Sequence, residues 1–170
     1  VLPKLRRSAI TLNADKVGRS DDEISALAKS NPDSLNIEEI LYAATLTNEM
    51  NEKLSIYQSA ERIYPQDWRT SNDVGSVLFM KGDLDAAMAE FAKADQLSSG
   101  NAIVKNNMGA VYSRKGDRKN AASNYASAAG AGPEVNENMG ILDIRNGNYS
   151  PAVSHYSNSS SYNSALAKLL

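Results

Sequence analysis

The residue types that most often perform chemistry in proteins are sparse in this sequence. His155 is the only histidine, and the sequence has no cysteine. A zinc site of the usual kind needs several nitrogen or sulfur ligands, which one histidine does not supply. General acid–base catalysis needs a partner that positions the histidine, and the sequence indicates none for His155. We therefore predict a solvated surface histidine, no metal site and no enzyme activity.

Acidic residues occur in pairs, but their positions favour helix starts over catalysis. Asp21-Asp22 and Glu38-Glu39 precede amphipathic stretches, and negative charge near a helix start interacts favourably with the helix dipole. Asp83-Leu84-Asp85 and Asn146-Gly147-Asn148 offer oxygen ligands for calcium. Neither segment continues into a twelve-residue loop that ends in glutamate. The sequence predicts no calcium site and no cofactor.

Glycine or asparagine residues recur at a nearly fixed period along most of the chain. Asn48, Gly82, Gly116 and Gly147 recur at intervals of 34, 34 and 31 residues, each between two alanine-rich amphipathic stretches. Such a period indicates one helical unit stacked on copies of itself. We expect each glycine to end a helix in the left-handed conformation, with Asn48 as the substitute in the first unit.

A second set of positions keeps the same register. Residues 34 positions apart in the sequence correspond to each other. The first set is Gly75, Leu78, Ala87, Phe91, Ala94 and Ser99, and the matching set is Gly109, Tyr112, Ala121, Tyr125, Ala128 and Pro133. Small residues let two antiparallel helices approach, and an aromatic residue on the facing helix fills the gap. We predict this packing for Phe91, Tyr125 and Tyr156, and for Tyr57 in a divergent first unit where Leu41 replaces the glycine.

The arrangement of small, aromatic, small and proline residues resembles the tetratricopeptide repeat (TPR). Asn107-Met108-Gly109-Ala110-Val111-Tyr112 and Lys115-Gly116-Asp117 look like the first helix and turn of that family, and the resemblance covers about residues 35–160. It implies an all-α, right-handed superhelical solenoid of antiparallel helix pairs. It also implies that the first helices line a concave groove, with peptide or protein binding as the usual activity.

Four repeat units fit the chain, at residues 34–67, 68–101, 102–132 and 133–166. Residues 1–19 are predicted to be extended, because Ser8–Asn13 alternates polar and apolar residues like a strand from a neighbouring domain. Ser20 and Glu23 have the spacing of a capping box, which predicts an N-terminal capping helix within 20–33 that packs on Ile40 and Leu41. We expect the chain to be a fragment of a larger protein.

A C-terminal capping helix is predicted for residues 162–170, from their alanine, leucine and lysine content. Leu169 and Leu170 would stay exposed at its end, where they would favour self-association through the terminal helices.

Helical spacing from Gly75 and Gly109 selects the side chains of the predicted groove. They are Tyr42, Arg69, Asn72, Asp73, Ser76, Phe79, Asn106, Asn107, Ala110, Arg114, Glu137, Asn138, Ile141 and Arg145. Amide side chains both donate and accept, so they match the backbone of an extended peptide. Packing between helices is the alternative role for these asparagines, and Phe79 is equally a core candidate. The mixed amide and acidic lining favours a neutral or mildly basic ligand.

Charge narrows the partner class to proteins. The formal net charge of −2 and the pI near 5.5 provide no basic field, so we predict no nucleic-acid partner. No apolar run reaches the length of about 20 residues that a membrane helix needs, so we predict no direct insertion by this segment. We expect a protein- or peptide-binding scaffold within a larger assembly, with a structural spacer as the alternative.

The cellular compartment is not fixed by the sequence. The abundance of asparagine and serine, and the run Tyr42–Asn48, are similar to TPR-like modules of large bacterial cell-envelope proteins. This second resemblance implies the periplasmic side of a bacterial cell envelope.

Overall fold

The computed structural model describes residues 18–130 and 132–159, and these residues are helical throughout apart from their turns. The α-helices are α1 Asp21–Ser30, α2 Ile37–Ala43, α3 Met50–Ile63, α4 Trp68–Lys81, α5 Leu84–Leu97, α6 Ala102–Lys115, α7 Arg118–Ser127, α8 Pro133–Arg145 and α9 Tyr149–Ser157. A 3-10 turn, Pro32–Ser34, joins α1 to α2. The predicted all-α fold is confirmed. The predicted strand at Ser8–Asn13 and the predicted helix over 162–170 lie outside the described residues.

Side-chain caps fix where several helices begin. The Ser20 hydroxyl accepts a hydrogen bond from the Glu23 amide at 3.3 Å, and the Glu23 carboxylate accepts one from the Ser20 amide at 2.8 Å, so the predicted capping box is present. Asp83 and Asp117 accept bonds from the amides three residues later, in corresponding turns of two units. Each cap supplies an acceptor for an amide that the helix itself leaves unpaired.

Glycines end the first helices of three units in the predicted conformation. Gly82, Gly116 and Gly147 have φ values of +87°, +83° and +77°. The prediction for Asn48 is wrong, because no described residue other than glycine has a positive φ. Helix α2 ends earlier, at Ala43, where the Thr45 hydroxyl donates to the Tyr42 carbonyl at 2.7 Å. The Thr45 amide donates to the same carbonyl at 2.8 Å, so a tight turn replaces a further helical turn.

The paired helices of each later unit meet where a glycine faces an aromatic ring. A Cβ atom on Gly75 would lie 2.8 Å from Cδ1 of Phe91. On Gly109 it would lie 2.6 Å from Cδ1 of Tyr125. In the last unit, Gly140 faces the Tyr156 ring in the same way, at 2.9 Å. The predicted packing of an aromatic knob against a glycine is confirmed in these three units.

The core is a series of clusters along the stack. Helix α1 closes one end, because Ile24 and Ala28 pack into the cluster that contains Ile40, with Leu41 and Tyr57 at its margin. The next clusters centre on Phe91 with Val104 and Val111, and on Tyr125 with Val135 and Leu142. Each of these two clusters includes residues of the following unit, so neighbouring units share a core. The unit boundaries themselves stay a prediction.

Candidate functional site

Helices α4, α6 and α8 lie side by side and present three rows of side chains across the stack. Within each helix the rows are four residues apart, which places them on one face. The polar row is Asn72, Asn106 and Glu137; the middle row is Ser76, Ala110 and Ile141; the basic row is Met80, Arg114 and Arg145. The rows run along the face that the sequence predicted to be the groove, and Met80 is the member that the predicted set lacked.

Amide side chains near the polar row bond to one another between units. Asn107 Nδ2 donates to Asn72 Oδ1 at 2.8 Å, and Asn138 Nδ2 donates to Asn106 Oδ1 at 2.9 Å. Asn72 is buried, and its own Nδ2 donates to Asp73 Oδ1 at 3.2 Å. Of the two roles that the sequence left open for these four asparagines, the bonds favour packing. They join α4 to α6 and α6 to α8.

Two clefts open over the middle row. The larger, about 290 Å³, lies between α6 and α8 beside the last turn of α4, and the smaller, about 160 Å³, lies between α4 and α6. The larger is lined by Phe79, Ala110, Ser113, Arg114, Tyr125, Asn138, Ile141 and Arg145. The smaller is lined by Ser76, Phe79, Met80, Phe91, Asn107 and Ala110. Phe79 and Ala110 line both, so the two clefts are continuous.

Phe79 has both of the roles that the sequence allowed it. The side chain is half-buried and packs against the cluster around Phe91, yet its surface lines both clefts. Met80, one residue further, is half exposed and lines the smaller cleft. The signal for Met80 was present in the sequence, since it follows Ser76 by four residues and precedes Arg114 by 34.

The two arginines of the basic row are each held by the preceding unit. Arg114 Nη1 donates to the Phe79 carbonyl at 2.9 Å, and its guanidinium lies 4.9 Å from the centre of the Phe79 ring. Arg145 Nη1 donates to Ser113 Oγ at 3.0 Å. Both residues remain exposed. A guanidinium has five N–H donors, and these hydrogen bonds use only Nη1.

Tyr42, Arg69 and Asp73 lie at the N-terminal end of the predicted groove and line neither of the two clefts. The Tyr42 hydroxyl donates to Asp21 Oδ1 at 3.1 Å. Arg69 forms ion pairs with Asp67 at 2.7 Å and Glu38 at 2.8 Å. The Tyr42 bond ties the first unit to α1, and the ion pairs of Arg69 tie the second unit to the first. The predicted groove residues therefore include an N-terminal group that is separate from the group at the clefts.

Asp73 stands out in the N-terminal group because its carboxyl group is largely buried. Burial raises the pKa of Asp73 to about 6, against the opposing effects of the Asn72 hydrogen bond and the Arg69 charge. Burial, helped by the Asp73 charge, also raises the pKa of Tyr57 to about 12. The junction between the first two units therefore holds a carboxyl group that changes charge near neutral pH.

His155 has a partner that the sequence did not indicate. Its Nε2 lies 3.5 Å from Asp143 Oδ2, and only 28% of its side chain is exposed, so the prediction of a solvated surface histidine is wrong. The two residues lie on the paired helices α8 and α9, and their contact depends on how those helices cross. Neither residue lines either of the two clefts.

Other classes of site find little support in the part of the chain that the structure describes. Residues 18–130 and 132–159 contain no group of three or more histidine, cysteine, aspartate or glutamate side chains placed to hold a metal ion. None of their helices combines the length and apolar character of a membrane span.

Comparison with known proteins identifies the fold. No protein-family model and no curated protein matches the sequence. Among solved structures, TTC0263, a thermophilic TPR protein of Thermus thermophilus, is 17% identical with a TM-score of 0.70, over 82% of this chain and 79% of that one. MamA is 18% identical with a TM-score of 0.63, over 87% and 89% of the two chains.

YrrB, described as a TPR protein with an unusual peptide-binding site, is 17% identical with a TM-score of 0.60, over 84% of this chain and 76% of its own. Likeness at this level of identity concerns the fold alone. The chain folds as a TPR-like helical solenoid, as its sequence predicted.

Proposed function

We propose that this TPR-like solenoid is a non-enzymatic protein-interaction module that binds an extended segment of a partner protein across α4, α6 and α8. The observation that carries the proposal is the continuity of the two clefts at Phe79 and Ala110. Together the clefts form a surface that crosses three successive first helices, which suits a chain-like ligand that runs across the stack.

The size of the clefts favours a peptide segment over a small molecule. Drug-sized ligands usually occupy pockets of about 300 to 1,000 Å³ that enclose most of the ligand. The clefts here, of about 290 and 160 Å³, each suit one or two side chains. Phe79, between them, offers an aromatic surface on which an apolar side chain of the partner can rest.

The fold supports the proposal by analogy. YrrB, which shares the fold, is described as having a peptide-binding site. Such an analogy raises the expectation of binding without locating it, because function depends on the residues of a site and not on the fold that carries it.

A structural spacer is the second candidate, and the amide pairs favour it. Asn72 with Asn107, and Asn106 with Asn138, use groove-facing polar groups to join units to each other. A stack built only to hold neighbouring domains apart needs such bonds and needs no ligand. The two candidates differ in what they predict for Ala110, which lines both clefts and lies outside the amide pairs.

Panning of a random-peptide display library on the immobilised full chain tests the proposal. Ala110→Gln adds side-chain volume where the clefts join, and Ala122→Gln makes the same change on the exposed surface of α7. We expect selected peptides to bind the wild-type chain and the Ala122→Gln variant equally, and to lose most of their affinity for Ala110→Gln. Thermal unfolding of both variants checks that the fold is unchanged.

Two outcomes would contradict the proposal. One is a failure to enrich any peptide after repeated rounds, which leaves the spacer as the better candidate. The other is a set of peptides that bind Ala110→Gln as well as they bind the wild-type chain, which moves the binding surface elsewhere.

A further inference from the structure

We infer that the bound segment is acidic and apolar, with two carboxylate side chains three residues apart that contact Arg114 and Arg145 and with an apolar side chain between them in the larger cleft. This inference rests on the proposed function. It differs from the neutral or mildly basic ligand that the sequence favoured, because the structure divides the predicted groove into two groups of residues.

The charge of the larger cleft is the first argument. Of the eight residues that line it, Arg114 and Arg145 are cationic and the other six are neutral. The chain as a whole has a formal charge of −2, so this cleft is a local positive region. Of the acidic residues that suggested a basic ligand, Asp73 and Glu38 belong to the N-terminal group, where Arg69 pairs with Glu38. Glu137 belongs to the polar row of α8 and does not line the larger cleft.

Pre-organisation of the arginines is the second argument. The Phe79 carbonyl and ring hold Arg114, and Ser113 holds Arg145, before any ligand is present. A side chain that is already ordered loses less conformational entropy on binding. A guanidinium can also contact a carboxylate through two parallel hydrogen bonds, which favours carboxylates over single-point acceptors.

The spacing of the helices gives the spacing of the carboxylates. Packed helices lie about 8 to 10 Å apart. An extended segment in the polyproline II conformation advances about 3.1 Å per residue with about three residues per turn, so side chains three residues apart point to the same side. Three residues therefore span about one helix-to-helix step from Arg114 on α6 to Arg145 on α8. The residues between the two carboxylates pass over Ala110 and Ile141, in the middle row, where an apolar side chain removes apolar surface from water.

Three synthetic hexapeptides test the inference by titration of the isotope-labelled full chain at low salt, with NMR amide shifts as the measurement. The first is acetyl-Ser-Glu-Leu-Ala-Glu-Ser-amide. The second replaces both glutamates with glutamine. The third places the two glutamates side by side, as acetyl-Ser-Glu-Glu-Leu-Ala-Ser-amide. We expect the first to bind about fivefold to tenfold more tightly than the second, as two exposed ion pairs allow, and more tightly than the third.

Charge-matched variants assign the effect to the two arginines. In Arg114→Gln/Arg145→Gln the preference for the first peptide over the second should disappear. In Arg118→Gln/Lys119→Gln, which removes the same charge from the exposed start of α7, it should remain. The preference should also weaken as salt is raised, because salt screens exposed charges.

The inference is overturned if no peptide binds, if the glutamine peptide binds as well as the first, or if the arginine variant keeps the preference. Equal binding of the third peptide overturns the three-residue spacing. These results leave the proposed function standing as long as selected library peptides still depend on Ala110. Loss of that dependence overturns the proposed function itself.

Discussion

The paired helices of the first unit and those of the third unit pack against each other through different residues. In the third unit, Gly109 lies directly against the Tyr125 ring. The first unit has Leu41 at the corresponding position, and Leu41 and Tyr57 pack at the margin of a cluster that also contains α1. The glycine allows close approach of two long helices, whereas the leucine supplies apolar surface that needs an additional helix to cover it.

Helix length makes a second difference between these units, and it bears on the groove. Helix α2 has seven residues, whereas α4 and α6 have fourteen each. The counterpart of Met80 and Arg114 in the first unit is Leu46, which lies beyond the end of α2. The basic row therefore starts at the second unit, with Met80 as its first member. Full-length first helices are needed to present all three rows, and both clefts lie over such helices.

Gly109→Leu should cause the largest loss of stability among the substitutions that test this difference between the units. The first atom of the new side chain would already lie 2.6 Å from the buried Tyr125 ring, so α6 and α7 must move apart. Overpacking of this kind costs about 3 kcal/mol, and coupling between units should extend the loss to the neighbours. Chemical denaturation should show the decrease. Ala126→Leu, on the exposed surface of α7, is the control, and equal midpoints for the two variants would contradict the close approach.

Asp73→Asn would make the second unit resemble the third and fourth, which carry Asn107 and Asn138 at this position. Burial raises the pKa of Asp73 from its ordinary value of 3.8 to about 6, against the effects of Asn72 and Arg69 and with a contribution from Asp67. Between about pH 4 and pH 6 the folded state then holds more protons than the unfolded state. The free energy of unfolding of the wild-type chain should therefore fall as pH rises through this window.

The variant lacks this carboxyl group and should lose that part of the pH dependence. We expect Asp73→Asn to be more stable than the wild-type chain by about 3 kcal/mol at pH 7.5, since a rise of about two pKa units corresponds to about 3 kcal/mol. At pH 4 the gain should vanish. Denaturation curves at both pH values measure the difference, with Asp22→Asn as an exposed control. A gain that is the same at both pH values would show that Asp73 is not the titrating group.

Asn72→Ala separates the two roles of the polar row. Asn72 is buried and accepts the 2.8 Å bond from Asn107, so its removal leaves a donor unpaired and should cost about 1 to 2 kcal/mol of stability. Because Asn72 lines neither cleft, affinity for the library peptides should stay unchanged. A double-mutant cycle with Asn107→Ala measures the coupling of the pair. Loss of affinity without loss of stability would favour a ligand contact instead.

The features that could be predicted from the sequence are those fixed by short-range chemistry. The positive φ of Gly82 and Gly116, the capping box at Ser20, and the aromatic ring against Gly109 each follow from residue types at helical spacing. The early end of α2 was missed because the Tyr42 carbonyl accepts from the amide and the hydroxyl of Thr45 in a tight turn, and not from an amide of the next helical turn. Local patterns do not reveal which of two such partners a carbonyl will take.

Polar contacts between helices were harder to predict than the caps and turns at the ends of each helix. The bond between Asn72 and Asn107 joins residues 35 positions apart, and the contact of His155 with Asp143 depends on the crossing of α8 and α9. Spacing along one helix shows which side chains share a face, but not whether they face a neighbouring unit or a ligand. The groove was therefore predicted as a face, while the division of its residues between packing and clefts required the structure.

The smallest effect concerns the contacts that join each first helix to the preceding unit. Lys115 forms an ion pair with Asp85, whereas Lys81, at the corresponding position, donates to the neutral amide oxygen of Asn51 at 2.6 Å. Asn51→Asp gives the first junction the charge pattern of the second. Because these side chains lie at the surface, we expect a gain of only about 0.2 to 0.5 kcal/mol. Screening should abolish that gain at about 1 M salt.

Asp85→Asn should lose a similar amount of stability with the same salt dependence, as measured by denaturation at low and high salt. If Asn51→Asp were neutral while Asp85→Asn destabilised the chain at both salt concentrations, Asp85 would act through its place in the first turn of α5 and not through Lys115. The two junctions would then differ in their helix starts rather than in their ion pairs.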